Sequence, residues 1–262
     1  MSDFNQFLKT AESANVIPVI ETMPADLLTP LSVYLKLAAN EKYSFLLESV
    51  EGGESLARYS FVGVAPKSII SGSDYSVTIS DEFGDHEQGI SMFDYLRDHF
   101  AVNRVLEDGE LPSFIGGAIG YLGYSCAGWF EPTLKRPEVQ RDHGSDASFM
   151  FFRSVVAFDH AKQVIKIISL VFTDESCNDI EKLHLVYENA LASNLKIKNI
   201  LENGQISLPR SNASPETGEV SSNWEKAEFE SAVIAIKEMI AETGEARPQR
   251  DEGGVPPRQL PT

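Results

Sequence analysis

Apolar residues recur along this chain in two periods, and the switches between them mark its elements. Phe4, Phe7, Leu8 and Ala11 fall at helical spacing and predict a short amphipathic helix at the start. Residues 16–21 (VIPVIE) are rich in β-branched side chains and predict a strand. Pro18 has no N–H to give to a ladder, which places that strand at a sheet edge. Thr29 and Pro30 read as the cap and first position of a helix running through Tyr34, Leu35 and Leu37 to about Ala39. Short strands are expected over 43–49, 59–64, 67–71 and 75–80, with turns at 51–54 and 81–89. Phe93, Leu96, Phe100 and Val105 keep a helical stripe that Asp108-Gly109 closes. Residues 149–159 and 163–172 read as two long strands of one hairpin, with His160, Ala161 and Lys162 near its turn. Ile180, Leu183, Val186, Tyr187, Ala190, Leu191 and Leu195 mark a long helix.

Helices mixed with many short, hairpin-linked strands, without regular βαβ alternation, predict an α+β fold with a layered, largely antiparallel sheet. That first domain is drawn over residues 1–202. Residues 203–222 are a linker by composition, rich in Gly, Ser, Asn, Pro and Glu. A further helix is expected over 223–241, opened by Ser222-Asn223-Trp224 and striped by Phe229, Val233, Ile236 and Ile240. From Glu242 the pattern breaks. Residues 242–262 have no aromatic residue and only Val255 and Leu260 as large apolar side chains, too little to offset the entropy of ordering. The segment reads as a disordered tail. Because an amphipathic helix needs something to pack on, a shifted or prematurely ended reading frame is the favoured explanation.

Composition narrows the function classes. Hydrophobic residues are 42% of the chain and charged residues 23%, as in soluble globular proteins with a real core. The formal net charge of -17 repels phosphate backbones and anionic membranes, so neither nucleic acid nor a membrane is an expected partner. No signal peptide and no membrane-spanning run is read. Cys126 and Cys177 form no CxxC pair and suit reduced thiols in a cytoplasmic protein. The five histidines, His86, His99, His143, His160 and His184, show no metal-ligand spacing, and no cofactor is expected to be held by this chain. The run Gly116-Gly117-Ala118-Ile119-Gly120 lacks the Lys-Ser/Thr ending of a phosphate loop and reads as a place of close backbone approach. No catalytic residue is assigned.

The candidate chemistry lies where Leu46-Leu47-Glu48-Ser49 ends a strand and Arg58-Tyr59-Ser60-Phe61-Val62-Gly63 begins another. A carboxylate, a hydroxyl and open strand-end backbone groups can together read an ammonium and a carboxylate. Arg58 is basic enough to sit beside an amino-acid carboxylate. Taken alone, the same residues are more readily a polar strand end and a surface ion pair.

Four segments in order resemble the N-terminal part of anthranilate synthase component I. They are Ile17-Pro18-Val19 through Thr29-Pro30 and Tyr34 to Leu37, the Leu46 and Arg58 runs just quoted, residues 114–124 with Phe130-Glu131 after them, and residues 149–160 (FMFFRSVVAFDH). The likeness extends through Trp224 into the helix after it. This resemblance implies a chain from the enzyme that converts chorismate to anthranilate in tryptophan biosynthesis, with Mg²⁺ and a glutamine amidotransferase partner for the full-length enzyme. It implies that Glu48 and Ser49 contact L-tryptophan as feedback inhibitor and that Arg58 lines the site. It also implies that residues 223–241 are the first helix of a chorismate-binding domain, that the chain stops before the catalytic part, and that it binds tryptophan poorly by itself. The large component of aminodeoxychorismate synthase shares the pattern and stays open. So does a non-enzymatic reading, a free-standing amino-acid-binding or subunit-interaction module.

Overall fold

Among the described residues, ten strands assort into two five-stranded antiparallel sheets. The computed structural model describes residues 4–48, 58–105, 110–131, 133, 145–176, 179–206, 222 and 224–245. The chain divides into two compact units, residues 1–209 and 210–262. Both sheets belong to the first, in the α+β layering that the element order predicts.

α1 (Phe4–Ala11) opens the chain and buries Phe7. β1 (Val16–Pro24) takes the sheet edge that Pro18 suits. α2 (Pro30–Ala38) starts with a reciprocal cap: Ser32 N donates to Thr29 Oγ1 at 3.1 Å, and Thr29 N donates to Ser32 Oγ at 2.8 Å. β2 (Ser44–Leu47) and β3 (Tyr59–Val64) pair antiparallel, with Phe45 opposite Gly63. β4 (Ser68–Gly72), β5 (Val77–Asp81) and β6 (Gly84–Gln88) form a meander. Then come α3 (Met92–Val102), β7 (Gly117–Leu122), the single turn α4 (Ala127–Phe130), β8 (Ala147–Phe152), β9 (Ser154–Asp159), β10 (Val164–Phe172) and the long α5 (Ile180–Asn203).

The strand orders are β1-β10-β9-β3-β2 and β6-β5-β4-β8-β7. Side chains alternate across each sheet, which assigns every face. In the first sheet Val19, Ile165, Ile167, Val156 and Val62 face α1, α2 and α5. Phe45, Phe61, Val155, Ala157 and Ile168 face the other way and meet Phe152, Met150 and Ile119 of the second sheet. The second sheet's remaining face, with Ile70, Val77 and Phe151, is covered by Met92 and Leu96 of α3 and Trp129 of α4. α5 is fixed by a buried polar relay: Ser169 Oγ donates to Asn194 Oδ1 at 2.8 Å, and Asn194 Nδ2 donates to Val19 O at 2.8 Å. Every member has a partner, so the relay specifies register without leaving a buried group unsatisfied.

Two expectations need correction. Residues 81–89 are not simply a turn, because β6 pairs with β5 there, fully exposed at the sheet edge; its polar residues hid it. Residues 149–159 are not one strand of a hairpin. The chain leaves the second sheet after Phe152 and enters the first at Ser154, with Arg153 between, so β8 and β9 pair with different partners. The Gly116–Gly120 run is a site of close approach: Gly116 and Gly117 have φ of 144° and 117°, and a Cβ on Gly120 would lie 2.0 Å from Ser148 O.

In the second unit, α6 (Lys226–Glu245) extends beyond the pattern break at Glu242. Its Phe229, Val233, Ile236 and Ile240 are all exposed. The expected turn at 51–54, the Asp108-Gly109 stop, Cys177, most of the linker and the tail beyond Glu245 lie outside the described residues.

Candidate functional site

β2 and β3 bring two of the three candidate residues to one end of the first sheet. Leu47 lies opposite Phe61, so Glu48 leaves β2 at the end where Arg58 leads into β3. Glu48 is exposed and has no ion-pair partner among the described residues. Ser49 lies outside the described residues.

Arg58 is held from three sides. Its Nε donates to Asp159 Oδ1 at 3.1 Å and its Nη2 to Asp159 Oδ2 at 2.7 Å, the planar fork meeting a carboxylate edge-on. Its guanidinium lies over the Tyr59 ring, 4.8 Å from the centroid. Its carbonyl accepts from His160 N at 2.9 Å. The plain alternative of a surface ion pair therefore fails on one side only: Arg58 is 34% exposed, but the Asp159 side chain is 0% exposed.

Asp159 ends β9, and its Oδ1 also accepts from Ala161 N and Lys162 N, both at 3.1 Å. This closes the β9–β10 turn, where Gln163 takes a φ of 52°. Burial pushes the Asp159 carboxyl up; the Arg58 fork and the two turn amides outweigh it and hold the group below the usual carboxylate range. The same hydrogen bond to Asp159 raises Arg58 against the opposing effect of burial. Desolvation, with the Asp159 charge adding to it, raises the Tyr59 phenol. Beside them, buried Ser60 Oγ lies 2.8 Å from His160 Nε2 in a hydrogen bond.

The site thus joins two hairpins, β2–β3 and β9–β10, and carries an exposed carboxylate at the same end of the sheet as a guanidinium with an unspent edge. Such a pair matches a zwitterion: ammonium to the carboxylate, carboxylate to the guanidinium. Sequence reasoning singled out Glu48 and Arg58 but missed Asp159. The available signal was an Asp ending an apolar strand just before the turn residues His160-Ala161-Lys162. Among the described residues no three His, Cys, Asp or Glu side chains are grouped to hold a metal ion. No described helix is long and apolar enough to cross a membrane.

Comparison with known proteins follows the same outline. The sequence profile described as chorismate binding enzyme matches residues 42–247, from just before β2 to just past the end of α6. The probable anthranilate synthase component 1 of Schizosaccharomyces pombe is 37% identical over 240 residues, covering 91% of this chain and 45% of that protein. The anthranilate synthase component 1 of Synechocystis sp. is 34% identical over 189 residues, covering 71% and 36%. That of Aquifex aeolicus is 32% identical over 243 residues, covering 89% and 46%. The chain thus spans less than half the length of each of these relatives. The crystal structure of anthranilate synthase component I from Streptococcus pneumoniae TIGR4 aligns with a TM-score of 0.46 at 21% identity, over 85% of this chain and 46% of that one. A profile match over most of its length places the chain in the family of chorismate binding enzymes.

Proposed function

We propose that this chain is the N-terminal portion of an anthranilate synthase component I and carries half of a feedback site for L-tryptophan. One observation carries the reading: 37% identity over 91% of the chain to a probable anthranilate synthase component 1 of which the chain spans 45%. On this reading residues 1–202 regulate and scaffold, 203–222 link, and the helix from 223 belongs to a chorismate-binding part. Glu48 takes the ammonium of tryptophan, Ser49 adds a hydroxyl, and Arg58 addresses the carboxylate. The remaining contacts belong to the part of the relatives that this chain does not span.

Conversion of chorismate to anthranilate, Mg²⁺ and an ammonia-supplying glutamine amidotransferase are properties of the longer protein. An anionic substrate needs a metal or basic clamp, and this acidic chain, with a net charge of -17, is assigned neither. The expected setting is the cytoplasm.

A half-site gives weak binding, because each absent contact removes affinity without lowering the cost of ordering the ligand. Titration of the chain with L-tryptophan, followed by ¹H–¹⁵N NMR, should give millimolar binding with shifts centred on Glu48 and Arg58. Shifts scattered elsewhere, or no shifts, refute the site. Micromolar affinity refutes the half-site description.

A further inference from the structure

The Asp159–Arg58 pair differs from the other Lys and Arg ion pairs among the described residues in its burial. Each partner in the Lys67–Glu82, Arg97–Asp94, Arg153–Glu175, Lys198–Glu21 and Lys226–Glu230 pairs keeps at least a quarter of its side chain exposed, whereas Asp159 keeps none. A buried carboxylate is tolerated only when its acceptor sites are filled. Asp159 fills them with four N–H donors, two from Arg58 and two from its own turn. With its side chain wholly buried, it is not open to a ligand itself.

Arg58 is the opposite case. Nε and Nη2 are engaged by Asp159, while Nη1 makes no hydrogen bond among the described residues, and a third of the side chain is accessible. The Tyr59 ring covers one face of the guanidinium, and the Arg58 carbonyl is tied to His160 N. An arginine on a flexible stem is thereby reduced to one orientation with one free edge, at the same end of the sheet as the exposed Glu48.

We propose that Asp159 is the positioning residue of the effector site: it holds Arg58 so that the free guanidinium edge receives the carboxylate of the amino acid whose ammonium Glu48 takes. This rests on the tryptophan reading above. Asp159 acts through Arg58 and touches no ligand. The pairing also links the site to the β9–β10 turn, so ligand on Arg58 is felt by the middle of the first sheet.

The test compares L-tryptophan with tryptamine, which keeps the indole and the ammonium but has no carboxylate. Both are titrated by NMR into the full chain and into Asp159→Asn. The expected result is a loss of about tenfold or more in L-tryptophan affinity, the scale of a hydrogen bond to a charged group, with tryptamine binding unchanged. Arg58→Gln should show the same selectivity, and adding Asp159→Asn to it should cost L-tryptophan nothing more. Should Asp159→Asn fail to fold, Arg58→Gln carries the ligand comparison alone. Equal losses for both ligands, or no loss, overturn the positioning role and leave the tryptophan site standing. If the unaltered chain binds neither ligand, the effector reading falls and takes this one with it.

Discussion

Asp159 and His99 both tie the stability of this chain to pH, in different ranges. Asp159 lies below the usual carboxylate range, so its contribution to stability is complete above the ordinary Asp value of about 3.9 and is lost as pH falls through its lower folded value. His99 acts at milder pH. Its ring is half-buried among Phe151, Phe100 and Tyr95, with centroids 4.8, 5.2 and 6.3 Å away. Burial first, and the Arg153 charge second, push its pKa down. The unfolded chain therefore takes up this proton first, near pH 6.5, and stability falls as pH drops below that. Urea unfolding between pH 7.5 and 5 should show this decline, and His99→Phe should flatten it while keeping the aromatic packing. An equally steep decline in the variant would show that His99 does not carry the effect.

At the level of elements, the sequence was most legible where local chemistry alone decides the structure. Thr29 and Pro30 name the start of α2 without help from tertiary contacts, and the structure places it there. Thr29→Ala should cost about 1 kcal/mol in urea unfolding, the usual worth of such a cap. It was least legible where an element depends on its neighbour. β6 carries no apolar stripe and exists because β5 offers it a ladder. The change of sheet at Arg153 leaves only a faint mark, one charged residue between two apolar runs; its meaning comes from Glu175, which pairs with Arg153, and Phe172, over which the guanidinium lies. The same dependence governs the glycines. Gly120 is legible as a small residue, but only the pairing of β7 with β8 shows that Ser148 O occupies the space a methyl would need. A backbone oxygen cannot rotate away, so Gly120→Ala should cost about 3 kcal/mol, the upper end for overpacking, and considerably more than the Thr29 change in the same assay. Of the candidate site, Glu48 and Arg58 were found because they flank one hairpin in sequence. Asp159 was missed because it reaches Arg58 across 101 positions.

For the molecule as a whole, apolar surface decides behaviour in solution. Within the first unit both sheets have their faces assigned, yet the β7 edge leaves Tyr121 57% and Leu122 44% exposed, and the end of β2 leaves Leu47 45% exposed. α6, taken by itself, exposes Phe229, Val233, Ile236 and Ile240 at helical spacing. A single exposed apolar residue needs no explanation, but a stripe of them repeated over a 20-residue helix does. The relatives are about twice as long as this chain, and in this chain the stripe is open to a second copy. Net charge of -17 opposes association at long range, and salt screens that opposition within about 8 Å at physiological ionic strength. The chain should therefore bind a hydrophobic dye and self-associate, more strongly as salt rises. Phe229→Glu with Ile236→Glu should abolish most of both effects while leaving the unfolding midpoint of residues 1–209 unchanged, since the altered side chains lie in the other unit. Light scattering behind a sizing column, at low and high salt, measures the first; urea unfolding followed by near-UV circular dichroism measures the second. A monodisperse monomer at both salts with no dye binding would show that the stripe is already covered by this chain.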